Sequence, residues 1–206
     1  MKTLLFQDLP YASPLLFIAT LVLYMHYRNP LLIVVGAVLF ILLVFVYRLP
    51  ARSPHGTTDR AILSPIDGTL LEIREHANTY TFVFYSSILD AQTQWAPYSG
   101  TIKSIDYGEG DRHLAWSLED HDNNRQERIV IATSLGDMML KKLHGIVTIQ
   151  DRTFVDRGDT VAQKQELGYI IFPARIDLTI PKMNVDVVAH QNELVVGGET
   201  IIAKLK

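Results

Sequence analysis

Few groups in this chain could do covalent chemistry. There is no cysteine among the 206 residues, which excludes thiolate nucleophiles, disulfides and cysteine zinc sites. Hydroxyls are the remaining nucleophiles of interest. A hydroxyl needs a base within hydrogen-bond reach and a third group that orients the base. Ser86, Ser87, Ser99 and Ser134 fall at expected strand ends or turns, and Thr179 lies in an expected strand. His113 and His121, with Asp120 and Asp122 close by, sit in the polar stretch Asp106 to Gln126. No His/carboxylate spacing there matches a metal-binding pattern, so the stretch reads as a solvated loop and no metal is expected. Asp67 heads an Asp-Gly pair, whose ordinary role is a tight turn.

These residues have to be positioned by strands. From about residue 61 the chain is a series of short β-branched runs: Thr69 to Ile73, Thr79 to Tyr85, Thr101 to Ile105, Arg128 to Thr133 and Ile146 to Ile149. Turn signals separate them at Asp67-Gly68, Ser99-Gly100, Gly108-Glu109-Gly110, Gly158-Asp159 and Gly197-Gly198. Helical periodicity is absent from this part. The expected fold class is mainly β, a sandwich or barrel. A weak repeat supports it: Ser64-Pro65-Ile66-Asp67-Gly68-Thr69-Leu70 resembles Ala96-Pro97-Tyr98-Ser99-Gly100-Thr101-Ile102. Arg157-Gly158-Asp159-Thr160-Val161 and Val196-Gly197-Gly198-Glu199-Thr200-Ile201 share a second pattern. Such glycine turns feeding short strands resemble the barrel-sandwich hybrid of biotinyl and lipoyl carrier domains.

The N-terminal quarter has a different texture. Leu15 to Met25 is uncharged and almost wholly apolar, and Leu31 to Tyr47 has no charged residue. A bilayer core of ~30 Å needs about 20 helical residues. The runs therefore predict a transmembrane hairpin over 1–47, with helices at about 10–27 and 30–47. A linker would follow at 48–60 and the β domain at 61–206. Lys2, Arg48 and Arg52 would lie on one side and Arg28 on the other. The excess of positive charge places the β domain in the cytoplasm and the protein in the inner or cell membrane. With a net charge of -3 the chain carries no basic surplus, and no nucleic acid is expected as partner.

Ser64-Pro65-Ile66-Asp67-Gly68, Asp90 with Ala96-Pro97-Tyr98-Ser99-Gly100, Glu127-Arg128, Gly145, and Phe172 with Arg175-Ile176-Asp177-Leu178 and Pro181 occur in that order. Together with Arg48, Pro50 and Arg52 they resemble the motifs of the phosphatidylserine decarboxylase family, in its short form with two anchor helices. The resemblance covers nearly the whole chain. It implies an enzyme that cleaves itself before a serine, converts that serine to a pyruvoyl group, and uses the ketone to decarboxylate phosphatidylserine. It also implies phospholipid as ligand, and a homo-oligomer or another membrane protein as partner.

Several positions depart from that pattern. The pyruvoyl serine falls at Ala174, which has no hydroxyl, and Pro173 replaces the glycine before it. Gln92 falls where the family has histidine, and an amide accepts no proton near neutral pH. Trp95 falls where longer members have a second histidine, and Ile149-Gln150 where the family has two arginines. Asp67 is retained. The resemblance therefore implies no catalytic residues and no pyruvoyl or other cofactor. It leaves a candidate ligand pocket of Asp67, Gln92, Trp95 and Arg175 and a non-catalytic protein that binds phospholipid or protein. The alternative is an active decarboxylase that uses an unusual residue. Two further alternatives are a carrier domain, from the likeness of Pro181-Lys182-Met183 to a biotinylated Met-Lys-Met, and a β domain used for assembly alone.

Overall fold

The computed structural model describes residues 12–46, 48, 52, 60–110, 124–144, 150–171 and 174–206. The chain divides into two units, Met1–Pro50 and Ala51–Lys206.

The first unit holds two helices, α1 (Ala12–Tyr27) and α2 (Leu31–Val46). Asn29 caps α2: its side-chain oxygen accepts the Leu31 N–H at 3.0 Å, the usual service of an N-cap asparagine. Pro30 follows, in a position where its missing N–H costs nothing. The helices approach closely at Gly36, where a Cβ would lie 2.4 Å from the Thr20 side chain. The expectation of a membrane hairpin, and with it the membrane localisation, is overturned here. Among the described residues no helix is long and apolar enough to cross a membrane. Each helix has 16 residues, a rise of about 24 Å against the ~30 Å of a bilayer core.

The second unit is mainly β, as the alternating runs predict. Its strands are β1 (Ala61–Leu63), β2 (Gly68–Glu75), β3 (Thr79–Ser86), β4 (Thr93–Trp95), β5 (Gly100–Gly108), β6 (Gln126–Thr133) and β7 (Gly136–Leu143). They continue as β8 (Gln150–Thr153), β9 (Thr160–Val161), β10 (Glu166–Ile171), β11 (Ala174–Pro181), β12 (Val185–Val187), β13 (Glu193–Val195) and β14 (Ile201–Leu205). An eight-stranded sheet runs β13-β2-β3-β11-β7-β6-β5-β9, beside two three-stranded sheets, β1-β14-β12 and β4-β10-β8. Four expected runs fall inside β2, β3, β5 and β6; the fifth, Ile146 to Ile149, lies outside the described residues. Strand β7 is absent from the sequence reading because Lys141-Lys142 interrupts its apolar run.

Register explains the core. Ile73, Phe82, Leu178, Leu140, Ile129 and Ile105 lie in one row across β2, β3, β11, β7, β6 and β5. Opposed residues of paired strands share a face, and this row faces the hydrophobic core. Each fully buried side chain of that size is worth about 1.5–3 kcal/mol. Gly68 opens β2 at a φ of +150°, and a Cβ there would lie 2.2 Å from the Tyr85 carbonyl oxygen. Only glycine lets β2 enter the sheet this close to β3.

Candidate functional site

One step along the strands from the apolar row, the inward face changes character. The next row reads Leu70, Phe84, Ile176, Lys142, Glu127. In the row after that, Ala174 at the start of β11 pairs with Ser86 at the end of β3. Gly68 flanks Ser86 on the other side. His144 follows Leu143, the partner of Arg175, and so comes level with Ala174. Ser86, Lys142 and Glu127 are fully buried and His144 nearly so.

The sheet β4-β10-β8 meets this end. Gln94, Gly168 and Thr153 are level, as are Ile170 and Asp151, and the Ile170 N–H donates to the Gln92 carbonyl at 3.1 Å. By alternation Gln92, Gln94, Asp151 and Thr153 share one face. That face is turned to the large sheet, because Thr153 and Asp151 touch its charged pair directly. The Lys142 ammonium lies 2.5 Å from Glu127 Oε2 and 3.3 Å from Asp151 Oδ1, and donates to Thr153 Oγ1 at 3.0 Å. Thr153 Oγ1 in turn donates to Glu127 Oε1 at 2.6 Å, and His144 Nε2 lies 3.0 Å from Asp151 Oδ2. Burial pushes the Asp151 carboxyl up. The His144 hydrogen bond and the Lys142 ammonium outweigh that, and hold it below the usual carboxylate value.

Within this layer several buried polar atoms have no hydrogen-bond partner among the described residues: Ser86 Oγ, Gln92 Oε1, both Oε1 and Nε2 of Gln94, and Glu127 Oε2, which has only its ion pair with Lys142. An orphaned buried polar atom costs about 1–3 kcal/mol. Several of them fall in this one layer, and each calls for an explanation.

The residues singled out in the sequence are distributed around this layer. Gln92 is within it and 2% exposed; its amide nitrogen donates to the Ser87 and Asp90 carbonyls at 2.7 and 2.9 Å. Asp90 fixes that loop, its Oδ2 accepting the Ser87 N–H and hydroxyl, both at 2.7 Å. Asp67 lies just before Gly68, at the same end of the sheet. Its carboxylate takes Arg52 Nη2 at 2.6 Å on each oxygen, and the Gly197 N–H at 2.7 Å on Oδ1. Trp95 faces the other way from Gln92 and Gln94, its ring close to Gly197 and Gly198, where a Cβ at Gly197 would come within 2.8 Å. Arg175 neighbours Ala174 and so points to the opposite face, paired with Asp177 through Nε to Oδ1 at 2.8 Å and Nη2 to Oδ2 at 2.9 Å. Asp67, Gln92 and the Ala174 backbone thus share one end of the large sheet, and Trp95 and Arg175 are turned from the polar layer.

Ser86, expected only at a strand end or turn, lies opposite position 174 in the β3–β11 register. Gln94, Lys142, His144, Asp151 and Thr153 are missed by the sequence reading. Parity is the signal that finds them: Lys142 falls in step with Met138 and Leu140, and Glu127 with Ile129 and Ile131. A charge on the core side of a strand is seldom idle. The loop with His113 and His121, and Pro173 and Ile149, lie outside the described residues. Among the described residues no group of three acidic or histidine side chains is disposed to hold a metal.

Fold and site together define a class: antiparallel β proteins with a buried polar layer where a small sheet closes one end of a large one. The particular family follows from comparison with known proteins. Residues 39–203 match the family model for phosphatidylserine decarboxylase. A putative archaetidylserine decarboxylase proenzyme of Methanosarcina mazei is 33% identical over 172 residues, spanning 84% of this chain and 79% of the relative. A phosphatidylserine decarboxylase proenzyme of Bacteroides fragilis is 28% identical over 184 residues, spanning 85% and 80%. The chain belongs to the phosphatidylserine decarboxylase family.

Proposed function

We propose that this family member neither cleaves itself nor decarboxylates, and that it holds a phospholipid head group in the polar layer. One observation carries the reading. Position 174 opens β11 opposite Ser86, beside a layer of unpartnered polar atoms, and its residue is alanine. Alanine has no hydroxyl to attack the preceding carbonyl, so no ester and no pyruvoyl group forms there; the residues do not fit that prosthetic group. Two neighbours agree. Gln92 has no basic nitrogen to take a proton, and the Asp67 oxygens are committed to Arg52 and Gly197. The names of the relatives, decarboxylases of phosphatidylserine and archaetidylserine, support a phospholipid with an amino-bearing head group as ligand. The second unit reads as a barrel-sandwich hybrid, which the glycine turns entering β2, β9 and β14 support.

Ser86 favours a second reading, an active decarboxylase that cleaves itself at Tyr85–Ser86, because its buried hydroxyl is uncommitted. The strand geometry weighs against it. The Tyr85–Ser86 bond is paired on both sides, by β2 and β11, and a carbonyl held in a ladder distorts poorly. Intact mass of the purified chain tests both readings. A single species near 23.3 kDa is expected. Two chains divided before residue 174, one blocked at its N-terminus, would overturn the non-catalytic reading; two divided before Ser86 would establish the second.

A further inference from the structure

We infer that β8 is a flap. It peels from β10 and lifts off the large sheet while the rest of the β unit stays folded, and solvent and solutes reach the buried charged pair of Lys142 and Glu127 through that opening.

Apolar content is the first argument. Strand β8 reads Gln150-Asp151-Arg152-Thr153 and holds no apolar residue, and none of the four belongs to the hydrophobic core. Apolar burial is the main term that keeps a strand in place, and β8 has almost none. Position is the second. Among the described strands β8 pairs only with β10, at the edge of its sheet. The opposite edge is fastened differently. Strand β4 ends in Trp95, whose ring is buried against Gly197 and Gly198 and whose backbone N–H donates to the Pro65 carbonyl at 2.8 Å. Just after β8 the chain is held again: the Phe154 N–H donates to the Leu167 carbonyl at 2.8 Å, and Val155 lies in the core. The C-terminal end of β8 is therefore a fixed pivot.

The contacts that tie β8 to the large sheet are polar. Asp151 meets Lys142 and His144, and Thr153 meets Lys142 and Glu127. A buried ion pair comes close to break-even, because the hydration lost on burial offsets the attraction. Opening β8 restores that hydration. Glu127 Oε2 gains most, since in the closed form it has its ion pair with Lys142 and no hydrogen bond. A strand with few apolar contacts and an edge ladder opens locally, below the free energy of global unfolding.

Gly168 supplies the test. A Cβ there would lie 2.2 Å from the Arg152 carbonyl oxygen, and the three atoms nearest to it all belong to β8. Gly168→Ala therefore wedges β8 from β10 and alters no charged group. Hydrogen exchange of the full chain at neutral pH, corrected for intrinsic rates, reads the opening. In the parent, the amides that pair β8 with β10 should exchange about 100-fold faster than those pairing β3 with β11, with little response to dilute urea. Gly168→Ala should speed the β8–β10 amides about tenfold more and leave β3–β11 within about twofold. Lys142 is fully buried and Lys103 exposed. Acylation of Lys142 by a water-soluble amine reagent should therefore accelerate in the variant while that of Lys103 does not. Parent β8 and β3 amides that exchange together, with the same urea response, overturn the flap. So does a Gly168→Ala variant in which every strand speeds up alike. Faster β8 exchange with unchanged acylation of Lys142 overturns the opening as a route to the charged pair.

Discussion

Two neighbouring rows of the same sheet are built on different principles. The row through Phe82, Leu178, Leu140 and Ile129 is apolar and fully buried, and area removed from water holds it. The next row begins in the same way, with Leu70, Phe84 and Ile176, and then turns to Lys142 and Glu127. Beyond it come Ser86, Ala174 and His144. Strand, register and depth of burial are nearly shared, so the backbone does not impose the change. The apolar row has its contacts complete. The polar one is held by charges that must stay paired, and it tolerates orphaned atoms that a purely structural layer would replace with methyl groups. Stability is therefore concentrated in one row and relinquished in the other, and the second is where a ligand can supply the missing contacts.

The largest effects should come from breaking each row at its most buried member. Phe82→Ala should cost about 3–5 kcal/mol by leaving a cavity. Lys142→Met should cost a similar amount, about 3–5 kcal/mol, for another reason: Glu127 and Asp151 lose their cation while still buried. Urea unfolding measures both, and a second substitution separates them. Adding Glu127→Leu to Lys142→Met should recover most of the loss, because a buried pair exchanged for apolar groups is often neutral. No companion change of that kind refills the space left by Phe82. If the double variant is as unstable as the single one, the charges are not a mutually compensated pair, and the contrast between the rows fails.

A smaller effect, of opposite sign, belongs to the orphaned atoms. Gln94→Leu should raise stability by about 1 kcal/mol or leave it unchanged, since an apolar group of similar size no longer loses hydrogen bonds to water. A loss above about 1 kcal/mol would mean that the Gln94 amide is satisfied in the folded protein. The polar row would then be structural in the same sense as the apolar one.

Much of the first row is legible in the sequence. Alternating apolar residues predict β3 and β6, and Asp67-Gly68 predicts the turn that Gly68 completes at positive φ. The polar row is harder to read for three physical reasons. Lys142 breaks the apolar run of β7, so local hydrophobicity reports a boundary where the ladder in fact continues to Leu143. Ser86 and position 174 are far apart in the chain, and only the β3–β11 register makes them neighbours. Arg175 looks like a pocket residue by adjacency to 174, but in a strand adjacent residues take opposite faces, and its guanidinium is spent on Asp177. The two N-terminal apolar runs correspond to α1 and α2, and among the described residues no helix is long and apolar enough to cross a membrane.

The smallest effect should appear only in acid, and it tests whether the polar row is ionised as its geometry requires. Asp151 is half of the contact by which β8 meets the large sheet, through Lys142 and His144. Burial opposes its ionisation, yet the His144 hydrogen bond and the Lys142 charge prevail, and its folded-state value lies below its unfolded one. A carboxyl lowered by folding adds stability above its unfolded value, and that contribution disappears as pH falls through the folded one. Asp151→Asn removes the contribution at every pH. The variant should therefore be less stable than the parent at neutral pH, and the gap should close as pH drops from about 5 through the carboxylate range. Denaturant midpoints of both proteins along a pH series measure that gap. A difference that stays constant or widens toward acid would mean that Asp151 is protonated or unpaired when folded. Lys142 would then be balanced by Glu127 alone.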